Sequence, residues 1–356
     1  MKTIKFELET ITPMFLSGAD GKNAELRPPS IKGLMRFWWR AVRGLEDIEQ
    51  LREEESEIFG GGGDKAKKSS FSIKIPYNNI EPNRTKFPDN PEHKVEVKIK
   101  GNIRKINILE YLAYGTLEWD RRRKQNIFIR DYFDVNKNLD VVVLFRNEEI
   151  IDDVLKSFYF LSAFGGLGSR SRNGFGNFNV LNRESFIEIG KEYVDNIVPT
   201  KEMLKLFIKS NSVPSYSAFS NGMRLFKTKN KFDTWDKALA EIGIIYKECR
   251  EKLEPHHKYD KRQYIGAPLD PPKESFKSIL DRHSKPYFIR IIKEKNKFNA
   301  YILYLLSKYC EGLEEDRNKR KINHANENKQ FESVCNDFNK LLASKLEEVI
   351  LWVSKN

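Results

Sequence analysis

The segment Phe164 to Phe178, FGGLGSRSRNGFGNF, holds the densest set of residues able to do chemistry in the chain. Gly165, Gly166, Gly168, Gly174 and Gly176 permit positive φ and close backbone approach, so successive amides can form an anion-binding concavity. Arg170 and Arg172 bring forked donors that match phosphate oxygens, and Ser169, Ser171 and Asn173 add short neutral donors. Two familiar phosphate motifs fail on spacing. A P-loop needs GxxxxGK followed by Ser or Thr; no lysine follows a glycine in this segment, and in the Gly60 to Gly63 run Asp64 precedes Lys65. A dinucleotide fingerprint must open a helix, whereas these glycines lead into a strand pattern. A turn between helix and strand needs one glycine or two. Five glycines with two arginines therefore point to a phosphate backbone. Joint replacement of Arg170 and Arg172 by Ala is expected to weaken RNA binding and leave thermal stability nearly unchanged.

A second cationic set lies early in the chain. At about 100° per residue, Lys32, Arg36, Arg40 and Arg43 fall within an arc of roughly 80°, opposite Leu34, Phe37, Trp38, Val42 and Leu45. Trp39 lands at the edge of the cationic arc, where its ring could stack on a base. No acidic residue occurs between Ile31 and Leu45, so these cations lack an i+4 partner on their own helix. The acids cluster only from Glu46 to Glu57 and read as a solvated face. The expectation is that Lys32, Arg36, Trp39, Arg40 and Arg43 meet a polyanion together with the glycine-arginine loop.

Signals for catalysis and for metals are weak. Five histidines offer no pair at a useful spacing, and His256 and His257 are adjacent. General acid and base catalysis would have to draw on His93, Tyr111 or Tyr114, and a lysine. Cys249, Cys310 and Cys335 are odd in number, far apart and without CxxC spacing, so neither a disulfide framework nor a zinc site is indicated. No cofactor and no metal are implied, and a reducing, cytoplasmic setting fits.

The bulk properties agree with a nucleic-acid partner. A net charge of +12 attracts polyanions at long range. No long apolar span, basic amphipathic terminus or lipidation signal supports a membrane partner. With 356 residues, 39% hydrophobic and 12% aromatic, the chain can bury two cores.

These residues need elements to position them. Thr3 to Thr10 alternates as a strand, Ile31 to Gly60 reads as one long amphipathic helix, and strand patterns follow at Phe71 to Ile75, Val95 to Ile99 and Val141 to Phe145. A second helix spans about Asp152 to Phe164, and a strand covers Phe175 to Leu181. The basic run Arg121, Arg122, Arg123 and Lys124 lies in an inserted loop within 100–140. The order strand, helix, two strands, helix, strand is ferredoxin-like, the sheet of RNA-recognition modules. Beyond residue 184 come apolar alternation at Ser215 to Phe226, a helix from Asp233 to Leu253, a strand pair turning near Lys295, and a last helix from about Asn328 to Val353. The fold class is α+β: tandem ferredoxin-like (RRM-like) domains at 1–183 and 184–356, each an antiparallel sheet with helices on one face. The second is degenerate because its closing strand is missing from the pattern.

The loop, of the form GxGxxRSRxGxGx plus an apolar residue after a helix, resembles the signature of the RAMP superfamily of CRISPR systems. The segment RPPSIKGLMRFWWRAVRG followed by EIFGG is similar to the opening of the first Cmr-type subunits of type III-B effector complexes. Both motifs match without gaps within residues 1–182, at Lys32, Gly33, Arg36, Trp39 and Arg40, and at Gly166, Gly168, Arg170, Ser171, Arg172, Gly174 and Gly176. Later matches are limited to YIGAPL from Tyr264, and the four-glycine run is longer than the family's turn. The resemblance implies a non-catalytic RNA-binding subunit in antiviral defence. It would hold the 3′ region of a CRISPR guide RNA, help capture target RNA and contact other Cmr-type subunits. Two competing readings remain: a metal-independent endoribonuclease, and a scaffold whose basic faces meet acidic proteins.

Overall fold

Apolar alternation at Ile4, Phe6 and Leu8 turns one face of β1 (Thr3–Thr10) inward and leaves Lys5 and Glu7 exposed. The computed structural model describes residues 2–63, 66–76, 80–99, 102–208, 212–254, 260–266, 279–280, 283–316 and 319–351. The chain continues through α1 (Pro28–Arg43), α2 (Ile48–Phe59), β2 (Phe71–Lys74), β3 (Asn138–Phe145), α3 (Ile151–Phe164) and β4 (Phe178–Val180). These four strands form an antiparallel sheet in the order β4-β1-β3-β2. Helices α1 and α3 cover its apolar face; Phe6 of β1 meets Phe158 of α3 at 4.3 Å between ring centroids.

The single long helix expected after Ser30 is two helices. Gly44 takes a left-handed conformation at φ 58 and returns its N–H to Arg40, ending α1. Three residues later Asp47 accepts from the amides of Glu49 and Gln50 and starts α2. A stop and a start signal this close override a periodicity that runs through both. The Val95 strand also pairs differently from expectation. It belongs to a separate hairpin, Lys94–Ile99 with Asn102–Asn107, and a second hairpin joins Leu117–Asp120 to Gln125–Phe128. The basic run from Arg121 sits at the turn of the second hairpin.

The later half adds β5 (Arg224–Lys227), α4 (Trp235–Leu253), β6 (Tyr287–Glu294), β7 (Lys297–Tyr304), α5 (His324–Ala343) and β8 (Glu347–Leu351). The strands form a second antiparallel sheet, β6-β7-β5-β8. The strand pair turns at Lys295, which has φ 56, as expected. The expected last helix is cut short at Ala343. Residues 347–351, with β-branched Val349 and Ile350, pair with the open edge of β5 and supply the closing strand.

The second sheet is buried on both faces. Tyr287, Ile289, Ile291, Ile302 and Tyr304 pack toward α4 and α5, while Leu225, Phe288, Ile292, Leu303 and Ile350 join the core of α1 and α3. Phe288 lies 5.6 Å from the Phe37 ring and 5.4 Å from Trp38. The layers therefore run sheet, helices, sheet, helices. Cys249, Cys310 and Cys335 are buried thiols. Among the described residues, no helix is long and apolar enough to cross a membrane.

Candidate nucleic-acid interface

The glycine-arginine loop is positioned by three neighbours: the end of α3, the segment Pro13–Phe15, and β6. Its glycines serve backbone packing, which corrects the expectation of a concavity built from the loop's successive amides. Gly176 (φ +67) donates its N–H to Pro13 O at 2.8 Å, and an added Cβ would lie 1.9 Å from Leu167 O. Gly168 (φ +89) runs against Phe15, where a Cβ would come within 2.3 Å of the carbonyl oxygen. A Cβ on Gly166 would meet Phe175 O at 2.7 Å, and one on Gly174 (φ +87) would meet Leu239 of α4 at 2.5 Å. The amides of Leu167, Ser169, Asn173 and Gly174 bond to protein carbonyls as well. Buried Asn177, absent from the sequence-derived set, ties the loop together. It donates from Nδ2 to Gly165 O at 3.1 Å and accepts at Oδ1 from Ile291 N at 2.7 Å.

What remains available to a ligand is the tip, Ser169 to Asn173, and the two arginines there differ. Arg172 donates to Lys285 O at 2.5 Å and lies 4.3 Å from the Phe288 ring and 5.4 Å from Phe37. Burial lowers it to about 10. It therefore braces the loop against the second sheet, so replacing it is expected to lower stability, unlike the small effect expected from the sequence for the joint Arg170 and Arg172 replacement. Arg170 has φ 61; its backbone carbonyl accepts from Asn173 N at 2.8 Å, while its side chain has no carboxylate or hydrogen-bond partner among the described residues. Asn173 donates to Leu112 O at 2.7 Å, which joins the tip to the helix Ile108–Leu112.

The tip forms one wall of a cleft of about 650 Å³. Arg130, Arg170, Arg172, Arg250 and Lys285 all line it, from four different stretches of chain, and among the described residues no Asp or Glu does. Lys285 sits 4.5 Å from the Tyr246 ring and is pushed well below its usual range by burial and by Arg250, Arg172 and Arg170. His283, also on the wall, is lowered to about 4 by burial and by Arg172. Four buried polar atoms of lining residues have no hydrogen-bond partner among the described residues: Ser169 Oγ, Tyr246 OH, Arg250 Nε and His283 Nε2. Buried polar atoms are nearly always paired, so these four suit a polar ligand, although such atoms also occur elsewhere, as at Arg290 and Tyr309. Tyr111 and the exposed Tyr114 add aromatic surface.

The cationic face of α1 has a different fate. After the Gly44 break, α2 folds back and lays its acids along that face. Glu55 receives Arg36 at 3.2 Å and Arg40 at 2.6 Å, and Glu54 receives Arg43 in a two-pronged contact with one arm of 2.9 Å. Arg36 also donates to Phe59 O and Gly60 O, closing the end of α2. Lys32 bonds to Ser69 and to Phe71 O, lies 4.4 Å from the Phe71 ring, and is lowered to about 8, chiefly by burial. Trp39 is buried and donates to Asp153 at 3.0 Å. The expectation that these cations lack a partner within the chain does not hold for the arginines: the counter-charges of Arg36, Arg40 and Arg43 come from the run read as a solvated face, 11 to 19 residues away in sequence. Of this set only Arg40 approaches the loop, where it lines a neighbouring cavity with Arg172.

The nuclease candidates separate similarly. His93 is fully buried, with Nδ1 3.0 Å from Pro88 O and Nε2 3.3 Å from Asp236, and it does not line the cleft. His256 and His257 lie outside the described residues, as does YIGAPL beyond Gly266. Sequence reasoning missed Arg130, Arg250, His283 and Lys285. Each sits singly in an ordinary strand, helix or loop context, so only their spatial convergence reveals them.

The RAMP superfamily model matches residues 7–179. Over 184 residues the chain is 30% identical to CRISPR system Cmr subunit Cmr1-2 of Pyrococcus furiosus, spanning 49% of this chain and 93% of that protein. It is 26% identical over 270 residues to Cmr1-1 of the same organism, spanning 68% of this chain and 71% of that protein. The crystal structure of apo Cmr1 from Pyrococcus furiosus shares the fold, with a TM-score of 0.55 at 21% identity, covering 99% of this chain and all of that one. A chain of the type III-B Cmr-beta complex bound to cognate target RNA and AMPPnP gives 0.52 at 12% identity, covering 95% of this chain and 99% of that one. The chain belongs to the Cmr1 subunit family of the RAMP superfamily.

Proposed function

We propose that this chain is an RNA-binding subunit of a type III-B CRISPR effector complex and performs no chemistry itself. It would hold the 3′ region of the guide RNA and assist capture of target RNA beside other Cmr subunits. The observation that carries this reading is the cleft where five cations from four stretches converge beside Tyr111 and Tyr114, with no acid lining it among the described residues. Such a surface suits phosphates with bases stacked alongside. In this reading Ser169, Arg170, Ser171 and Asn173 contact RNA, with Arg172 orienting the tip, and the α1 cations act as structure. A relative that carries the Cmr1 name, 93% of which this chain covers, and a chain of the same fold in an RNA-bound Cmr-beta structure support the assembly part of the reading.

The same reading divides the chain into two ferredoxin-like units, 1–183 and 184–356. Each sheet has its closing strand beside its first, then its third and second, the order expected when two strand-helix-strand units interleave. Ultraviolet crosslinking of the RNA-loaded assembly, mapped to peptides, tests the site: crosslinks at Tyr111, Tyr114 or the loop tip are expected. RNA crosslinks confined to the α1 and α2 face would reject it, and protein-only crosslinks at the cleft would favour a scaffold. Labelled RNA incubated with the purified chain in EDTA should stay intact. Cleavage that disappears with His283→Ala would instead establish a nuclease.

A further inference from the structure

The cleft contains more than cations, and its neutral groups carry separate information. Arginine and lysine only donate hydrogen bonds, so they complement oxygens that only accept, as phosphates do. A hydroxyl both donates and accepts, and on a phosphodiester its acceptor lone pairs stay unfilled. Two buried hydroxyls on this wall, Ser169 Oγ and Tyr246 OH, have no hydrogen-bond partner among the described residues. Other buried tyrosines mostly find one: Tyr159 donates to Asn196 O, Tyr132 to Thr85 O and Tyr287 to Asn339, as the amphipathic ring normally requires, with Tyr309 an exception. Tyr246 is held by its ring instead, against Tyr287, Phe338 and Lys285. A cleft of about 650 Å³ also falls within the roughly 300–1,000 Å³ of sites that enclose a small molecule, enough to surround a nucleotide and its sugar.

We propose that Ser169 and Tyr246 read ribose: their hydroxyls pair with 2′-hydroxyls of the nucleotides whose phosphates lie among Arg130, Arg170, Arg250 and Lys285, so that the chain selects ribonucleic over deoxyribonucleic strands. This rests on the cleft being the RNA site. The 2′-hydroxyl is the group that separates RNA from DNA, and it both donates and accepts. A site built to satisfy a hydroxyl discriminates against a ligand lacking it, because the site's own polar groups are then left unpaired.

The test uses fluorescence anisotropy of the full chain with three labelled single strands of one sequence: RNA, DNA and 2′-fluoro RNA, which has no hydroxyl proton to donate. The variants are Ser169→Ala, Tyr246→Phe, their combination, and Arg170→Ala. Both hydroxyl variants remove one oxygen and keep the packing, and thermal melts confirm that each folds. The proposal expects RNA to bind about tenfold tighter than DNA or 2′-fluoro RNA, the scale of one or two neutral hydrogen bonds. Each hydroxyl variant should then weaken RNA alone, and the combination should bring RNA down to the affinity of DNA. A preference that survives in the combined variant, or no preference in the parent, overturns the ribose reading. Provided Arg170→Ala still weakens both strands, the cleft as a binding site is untouched by that result. Indifference of RNA and DNA alike to Arg170→Ala removes the cleft, and the ribose reading with it.

Discussion

Replacing Arg170 by Ala isolates the electrostatic part of the cleft. Its guanidinium lies partly buried beside Gly115 and has no partner among the described residues, and Ala at φ 61 keeps the same backbone cost, so the melting temperature should move by no more than about 1 °C. Binding should change much more. A charge-assisted hydrogen bond contributes about 1.5–3 kcal/mol, and its low end corresponds to about tenfold weaker affinity. Losing one phosphate contact on a single strand should also flatten the dependence of log affinity on log salt by about 0.7. Between roughly 50 and 200 mM salt the defect should therefore shrink by about 2.6-fold, from about tenfold to about fourfold. Anisotropy titrations of a labelled single-stranded RNA across that range measure both numbers. A tenfold loss with an unchanged slope would mean that Arg170 shapes the loop and touches no phosphate. Neither change would mean that the RNA lies elsewhere. Arg172→Ala cannot serve the same purpose, since it removes the bond to Lys285 O and the contacts with Phe288 and Phe37.

Three further outcomes follow from the same geometry. Lys285 lies below its ordinary 10.5 in the free cleft, and a bound phosphate would restore its charge, so binding takes up a proton between the lowered value and 10.5. RNA affinity should fall as pH rises through that window and lose this slope in Lys285→Arg; a profile identical in both proteins would refute the linkage. Glu55 is mostly buried between Arg36 and Arg40, which are about one-third exposed, so Glu55→Gln should cost about 1–2 kcal/mol, between exposed and buried pairs. That is a drop of about 1–3 °C in melting temperature with RNA affinity unchanged, and tighter RNA binding would instead revive the α1 face as a nucleic-acid surface. Gly176→Ala would place Cβ 1.9 Å from Leu167 O at φ +67, so a loss of at least about 3 kcal/mol is expected in denaturant melts. A near-native midpoint would show that the loop can reroute.

The amino-acid sequence alone determined those features that depend on neighbours in the chain. Alternation at Ile4, Phe6 and Leu8 wrote the first strand, the turn at Lys295 wrote the hairpin of β6 and β7, and the glycine-arginine segment announced a loop of unusual backbone. Arg170, Ser169 and Asn173 were legible because they sit inside that segment. Tertiary structure decided the rest, because charge pairing and strand pairing act through space. Glu54 and Glu55 reach Arg36, Arg40 and Arg43 only because Gly44 and Asp47 turn α2 back on α1. Residues 347–351 become a strand only because β5 offers an open edge. Arg130, Arg250, His283 and Lys285 carry no local mark, and the repulsion and desolvation that make them a site exist only once the folded chain brings them to one cleft.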